Sequence, residues 1–205
     1  AADFARAERA EPDSTMLPDE RLTRFLVRIA EKLPVTVGPA YQWLLRRAEG
    51  IHGAARCRAF AASLALARSG LREADFAGLW RQLADEPWQP LAFAALRRSF
   101  RAHVVARGAS GQWDFTHAQM REAARARYLP EEAQRKELHA RLAAHFGGLE
   151  PDDPLHQSET MAHLIGADDQ AGAAALHGGE LTDGELAGAT AALAEYVLQA
   201  GEAGA

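Results

Sequence analysis

His103-Val104-Val105-Ala106-Arg107-Gly108-Ala109-Ser110-Gly111-Gln112-Trp113-Asp114-Phe115-Thr116-His117 is the stretch that decides the reading of this chain. Two short runs of β-branched and aromatic residues flank Gly108-Ala109-Ser110-Gly111, whose composition suits a hairpin loop. On both sides of this stretch the apolar residues recur at helical spacing instead.

Upstream, Leu22, Phe25, Leu26, Ile29 and Leu33 predict an amphipathic helix that stops at Pro34. Val37, Tyr41, Leu44, Leu45 and Ala48 predict a second, ended by Gly50. Cys57, Phe60, Ala61 and Leu64 form the stripe of a third, ended by Ser69-Gly70. Phe76, Leu79, Trp80 and Leu83 predict a short helix that Asp85-Glu86-Pro87 stops, and Leu91, Ala95, Leu96 and Phe100 another, reaching about Arg101. Downstream of the hairpin, Met120, Ala123, Ala124 and Tyr128 give a helix closing at Pro130. Leu138, Leu142 and Phe146 give one more, ended by Gly147-Gly148. Past Pro151 and Pro154, helices are expected over 155–165, 169–176 and 183–199. Asp183 stands as N-cap of the last, with Leu186, Leu193 and Val197 as its stripe.

Helix, helix, helix, two-strand wing, helix is the order of a winged helix. The expected fold is therefore mainly α: a helical bundle plus a winged helix with one β-hairpin, followed by a helical-repeat-like tail. The segments are 1–19, a linker or loose helix; 20–68, a helical domain; 69–130, the winged-helix domain; 131–149, a linking helix; and 150–205, an acidic segment that could begin a helical repeat.

Composition narrows the function. Apolar residues make up 48% and charged residues 25%, as in ordinary globular proteins. The sequence opens Ala1-Ala2-Asp3 without Met, the mark expected of a piece of a longer protein. No apolar run approaches the roughly 20 residues that span a bilayer, and Asp3, Glu8 and Glu11 interrupt any signal-peptide core. With one cysteine, Cys57, there is no internal disulfide, and a cytoplasmic location is expected. The abundance of arginine and alanine fits a bacterial source. The net charge of −5 is unevenly spread: residues 90–145 hold ten basic and five acidic residues, whereas 150–202 hold eleven acids and no Lys or Arg. The basic middle could face an anion; the acidic tail suits a protein partner and excludes nucleic acid there.

Signatures of catalysis are missing. A P-loop needs Gly-Lys-[Ser/Thr], yet Lys32 follows Glu31 and Lys136 follows Arg135. No Gly-x-Ser-x-Gly elbow and no His-Glu-x-x-His occurs, and His139 and His145, six apart, sit on different helix faces and read as surface or packing residues. The reading is of a chain that is not itself an enzyme and holds no metal or cofactor of its own.

Three stretches carry a resemblance. Leu33-Pro34-Val35-Thr36-Val37 with Tyr41-Gln42-Trp43-Leu44-Leu45-Arg46-Arg47 resembles the segment that follows the nucleotide-binding core in the STAND/NACHT class of signal-transducing NTPases. Residues 64–76 are similar to the helix and turn that open the winged helix of that class. Trp113-Asp114-Phe115-Thr116-His117, leading to Met120-Arg121-Glu122-Ala123, resembles its F-[ST]-H-x-x-h-R-E-A element. Arg72 departs from the class's usual Ser or Thr N-cap, so the helix there is expected to start at Asp75 or to use Ser69. Ala118 stands where many relatives have Asp.

The resemblance implies a regulatory arm that relays nucleotide state by rotation of the winged helix. Its partners would be an NTPase core and other domains of the same parent, with ADP or ATP bound by that core. It further implies that His117 reaches the β-phosphate of ADP; from residue type alone His117 could equally cap the following helix or pack at the wing junction. Arg97, Arg98, Arg101 and Arg107 are candidate anion or DNA contacts, or a charged face toward an acidic partner. Against DNA, Leu91, Phe93, Leu96 and Phe100 leave few adjacent positions for base contacts. Trp43, Trp80, Trp88 and Trp113 read as core or interdomain anchors, with Trp88, between prolines, the one expected to be exposed. The rival functions are a DNA-binding winged helix of a transcription regulator and a helical scaffold for protein–protein contact.

Overall fold

The computed structural model describes residues 18–31, 34–108 and 110–177, with 188, 191, 193 and 194 besides. It is mainly α-helical with one small antiparallel hairpin. Residues 1–17 and most of the predicted helix over 183–199 lie outside the described residues.

The first helix, α1 (Pro18–Glu31), carries Asp19 and Glu20 in its first turn, where acids complement the helix dipole. Leu22, Leu26 and Val27 on it are each at least half exposed. The second, α2 (Val37–His52), runs through Gly50 and ends at Gly53, whose φ of 92° suits a residue without Cβ. An isolated glycine weakens a helix by roughly 1 kcal/mol and does not by itself end one.

The next helix, α3 (Ala54–Leu66), is the centre of the molecule. Its expected stripe of Cys57, Phe60, Ala61 and Leu64 is buried, but so is every residue from 59 to 66. From Ala59 onward the helix has no solvent face, because α2, α4 (Glu73–Ala84), α6 (Ala118–Tyr128) and α7 (Glu132–Gly147) pack around it; Ala54, Ala55 and Arg58 in its first half are exposed.

The start of α4 departs from both expectations. It begins at Glu73, and its cap comes from Asp75, whose carboxylate accepts the Arg72 N–H at 2.8 Å and the Arg72 guanidinium at 2.9 and 3.0 Å. The arginine thus substitutes for a capping hydroxyl by holding the acid that does the capping. Asp85, in the left-handed region at φ 55°, ends the helix.

After it, α5 (Pro90–Ser99) places proline in its first turn, where the missing N–H is no loss. Its core face is Phe93, Leu96 and Phe100; Leu91, expected on that face, is 88% exposed. Phe60, Phe76, Phe93 and Phe100 form the aromatic centre of the core, with neighbouring ring centroids 5.0 to 5.9 Å apart. Trp88 is half-buried against Trp80 and Phe93, correcting the expectation that it is exposed.

The hairpin pairs β1 (Val104–Arg107) with β2 (Gln112–Phe115) in the register Val104↔Phe115 to Arg107↔Gln112. On the other edge of β2, Leu71 and Trp113 exchange N–H···O bonds of 3.0 and 2.8 Å. The close approach requires Gly70: at its φ of 85° a Cβ would collide with the Trp113 carbonyl.

Beyond α6 and α7 come α8 (His156–Gly166) and α9 (Gln170–His177). One continuous core runs from Leu45 to Leu155, and Met161 with Ile165, Ala173 and Leu176 forms a small satellite. Polar clasps join α7 and the loop after it to α4. The His145 Nε2 lies 3.2 Å from Asp75 Oδ1, and the Arg72 guanidinium donates to Asp153 at 2.7 Å. Burial would raise the Asp75 carboxyl, but His145 and Arg72 hold it below the ordinary range. Among the described residues no helix is long and apolar enough to cross a membrane.

Candidate functional site

The hairpin register carries two histidines to one end of the sheet. With Val104 opposite Phe115, His103 faces Thr116, whose N–H donates to the His103 carbonyl at 2.9 Å. His117 follows as the N-cap residue of α6, in extended conformation at φ −130° and ψ 137°. Its carbonyl accepts the N–H groups of Met120 and Arg121 at 3.1 and 3.4 Å. The imidazole is exposed and makes no capping hydrogen bond to the helix it introduces. The first N–H groups of α6 have no carbonyl a turn earlier to pair with, and the dipole puts partial positive charge there. An exposed imidazole beside such donors can hold an anionic oxygen.

His103 packs its ring edge-on to Tyr41, with centroids 5.5 Å apart and planes at 90°. Burial, then the neighbouring charge of His117, lowers its pKa. Its Nδ1 is buried without a hydrogen-bond partner. His103 was missed in the sequence, although the signal was there: a loop centred on 108–111 puts 103 against 116.

One turn into α6, Arg121 leaves the site and reaches the end of α3. Its Nη1 donates to the carbonyls of Leu64, Ala65 and Ala67 at 2.7, 3.2 and 2.8 Å, and its Nη2 to the carboxylate of Asp114 on β2. Arg125 Nε adds a bond to the Ala65 carbonyl at 2.9 Å. The last carbonyls of a helix lack intrahelical partners and carry its negative end, so two guanidiniums are well matched to them. A second tie runs from α6 to α2. Glu49 accepts from Arg127 and, at 2.7 Å, from the Tyr128 hydroxyl, and Gln42 donates to the Ala123 carbonyl at 2.8 Å. The Arg127 hydrogen bonds hold the Glu49 carboxyl below its ordinary range. A groove of about 560 Å³ lies along this α2–α6 seam, lined by Pro39, Gln42, Arg46, Gln119 and Glu122 among others.

The four candidate arginines do not form one face. The Arg97 guanidinium lies 4.2 Å from the centroid of the Trp113 ring, a cation–π contact that fixes it to the sheet. Arg107 stands 3.7 Å from Asp114 across the hairpin. Arg98 and Arg101 point outward, exposed, near the end of α5. Leu91 and Ala95 share that outer surface, which is thus part apolar. Among the described residues no group of three or more His, Cys, Asp or Glu is placed to hold a metal ion. Comparison with known protein families, with curated proteins and with solved structures finds no match.

Proposed function

We propose that this chain is the regulatory arm of a STAND/NACHT-like NTPase, with 69–130 as its winged helix and His117 as its sensor of nucleotide phosphate. The single observation that carries this reading is the placement of His117: exposed, uninvolved in capping, and set beside the free N–H groups of α6. In the closed state the imidazolium donates to the β-phosphate of ADP held by the core, and exchange of the nucleotide releases it. The arm then turns as a body. Rigidity of the kind this requires is supported by Arg121 and Arg125, which bind the hairpin and α6 to the end of α3. The segment relays and does not catalyse; its partners are the core and other domains of its cytoplasmic parent, and the acidic tail meets a protein.

The test is His117→Ala in a protein that joins this arm to its NTPase core. Loss of one charge-assisted hydrogen bond is worth about 1.5–3 kcal/mol, and each 1.4 kcal/mol is about tenfold, so calorimetric ADP affinity should fall at least about tenfold. The melting temperature of the isolated arm should change little, because the side chain is exposed and makes no capping hydrogen bond. Unchanged ADP affinity would retire the sensor role.

A further inference from the structure

Two histidines and a glutamate form a line where α7, α8 and the turn between α3 and α4 meet. Glu159 and His163 stand one turn apart on α8, and both have 0% exposure. The glutamate's Oε1 accepts the Ser69 N–H at 2.8 Å and its Oε2 the Arg68 N–H at 3.3 Å. The carboxylate thus occupies the backbone donors of the turn that leads from α3 to α4. His163 Nε2 lies 3.5 Å from Oε2, and its ring stacks on Phe146 with 17° between the planes. The other nitrogen, Nδ1, meets Nδ1 of His139 on α7 at 2.8 Å. Gly166 keeps the space for that ring, since a Cβ there would fall 2.5 Å from His139.

Such a contact needs one donor and one acceptor. The carboxylate favours hydrogen on His163 Nε2, which leaves His163 Nδ1 to accept from His139 Nδ1–H. One further proton on the pair leaves the contact intact, because one ring can still donate to the bare nitrogen of the other. A second proton sets N–H against N–H and breaks the bond. The remaining charges facing His139 are Arg125 of α6 and Arg135 of α7, both positive, and those facing Glu159 are His163 and the Ser69 amide. Burial first, then these neighbours, hold His139 down to about 3. Burial would raise Glu159, yet His163 and the Ser69 N–H keep it below the ordinary carboxyl range. Three apolar side chains would fill the same volume with no ions to desolvate, so stability alone does not account for this line.

We propose that the His139–His163–Glu159 line is an acid-sensitive latch, and that protonation of both histidines releases α8 from the α3–α4 turn. The sign follows from linkage. The closed form resists the second proton, whereas an opened His139 takes it near the ordinary imidazole value of about 6.5, so opening becomes easier as pH falls below that value. One linked proton makes the effect up to about tenfold per pH unit. The latch is independent of the nucleotide reading and would act as a second input to the same arm.

Amide hydrogen exchange on the whole chain, corrected for intrinsic rates, tests this between pH 7.5 and 5. The Arg68 and Ser69 amides and those of α8 should lose protection about tenfold per unit below pH 6.5, while the amides of Phe60 and Leu64 in α3 hold theirs. His139→Gln keeps a hydrogen-bonding group without titration, and its α8 should stay protected over the same range. Wild-type protection that is flat with pH, loss in α3 and α8 together, or an unchanged slope in His139→Gln would each overturn the proposal. Should that variant not fold, the wild-type ring nitrogens decide. Proton uptake by His139 in step with the opening of α8 supports the latch; uptake near 6.5 with α8 still protected overturns it.

Discussion

Replacing Arg121 by methionine keeps the length and apolar stem of the side chain and deletes its guanidinium. The loss takes the guanidinium donor from the carbonyls of Leu64 and Ala67, residues that are 2% exposed or less, while the Ala65 carbonyl keeps only its bond from Arg125. It also leaves Asp114, its side chain 10% exposed, without its closest cation. Removing one partner of a buried ion pair costs roughly 3–5 kcal/mol. Arg121 is itself 21% exposed, so water replaces part of what is lost, and about 3 kcal/mol is expected. For a chain of this size that corresponds to a fall in Tm of about 6–12 °C. Urea titration followed by circular dichroism measures the change. Asp114→Asn in the same background separates the parts: the double variant should recover at least about 1 kcal/mol relative to the sum of the singles, because the stranded carboxylate is gone. A single variant within 1 kcal/mol of wild type, or strict additivity, would refute the claim that Arg121 holds the hairpin to α3.

Gly70→Ala should destabilise by more than about 1 kcal/mol, since it forces a positive φ on alanine and collides with the Trp113 carbonyl; a thermal melt equal to wild type would contradict this. Cys57 has no exposed surface, and burial followed by the charge of Glu49 pushes its thiol up to about 12. An aromatic disulfide reagent at pH 8 should therefore label it only after denaturant is added, and rapid labelling of the native chain would count against that burial. With Arg97 on Trp113 and Arg107 beside Asp114, duplex DNA should bind only weakly, more so for Arg98→Glu, and come off as salt rises. A tight, sequence-selective site would favour the transcription-regulator reading.

What the sequence displayed best was local. The hairpin was legible because its strands break the helical period and four small residues divide them, and the core faces of α4 and α6 follow from their apolar spacing; on α2 Leu45 and Ala48 are buried as expected, but Val37 is 57% exposed. The burial of α3 on every side from Ala59 to Leu66 was not legible, because Ala59, Ala62, Ser63 and Ala65 mark no face in a pattern of large apolar residues. At Arg72 the residue type excludes a cap, yet the acid three positions on supplies one, an arrangement visible only once the three donors of the arginine are placed. His117 stood out only through the resemblance carried by Phe115-Thr116-His117. The destinations of Arg121 could not be picked out, since they are backbone carbonyls 54 to 57 positions upstream, and a carbonyl has no residue type. The pairing of His139 with His163, 24 residues apart, depends on how two helices cross and left no spacing to read.

The smallness of the residues along α3 bears on how this protein can change over generations. Four helices close on it, and Ala59, Ala61, Ala62 and Ala65 are all 3% exposed or less. A larger side chain at Ala61 or Ala65, which have no exposed surface, must displace a neighbour, and overpacking of that kind costs typically 1–3 kcal/mol. The loss cannot be relieved by one compensating change, because the walls are joined to one another through Arg121, Arg127 and Arg72. Drift should therefore be steep in the outward residues of α1 and α5 and nearly frozen along α3, whose plain Ala-rich composition would otherwise mark it as the most replaceable helix in the chain.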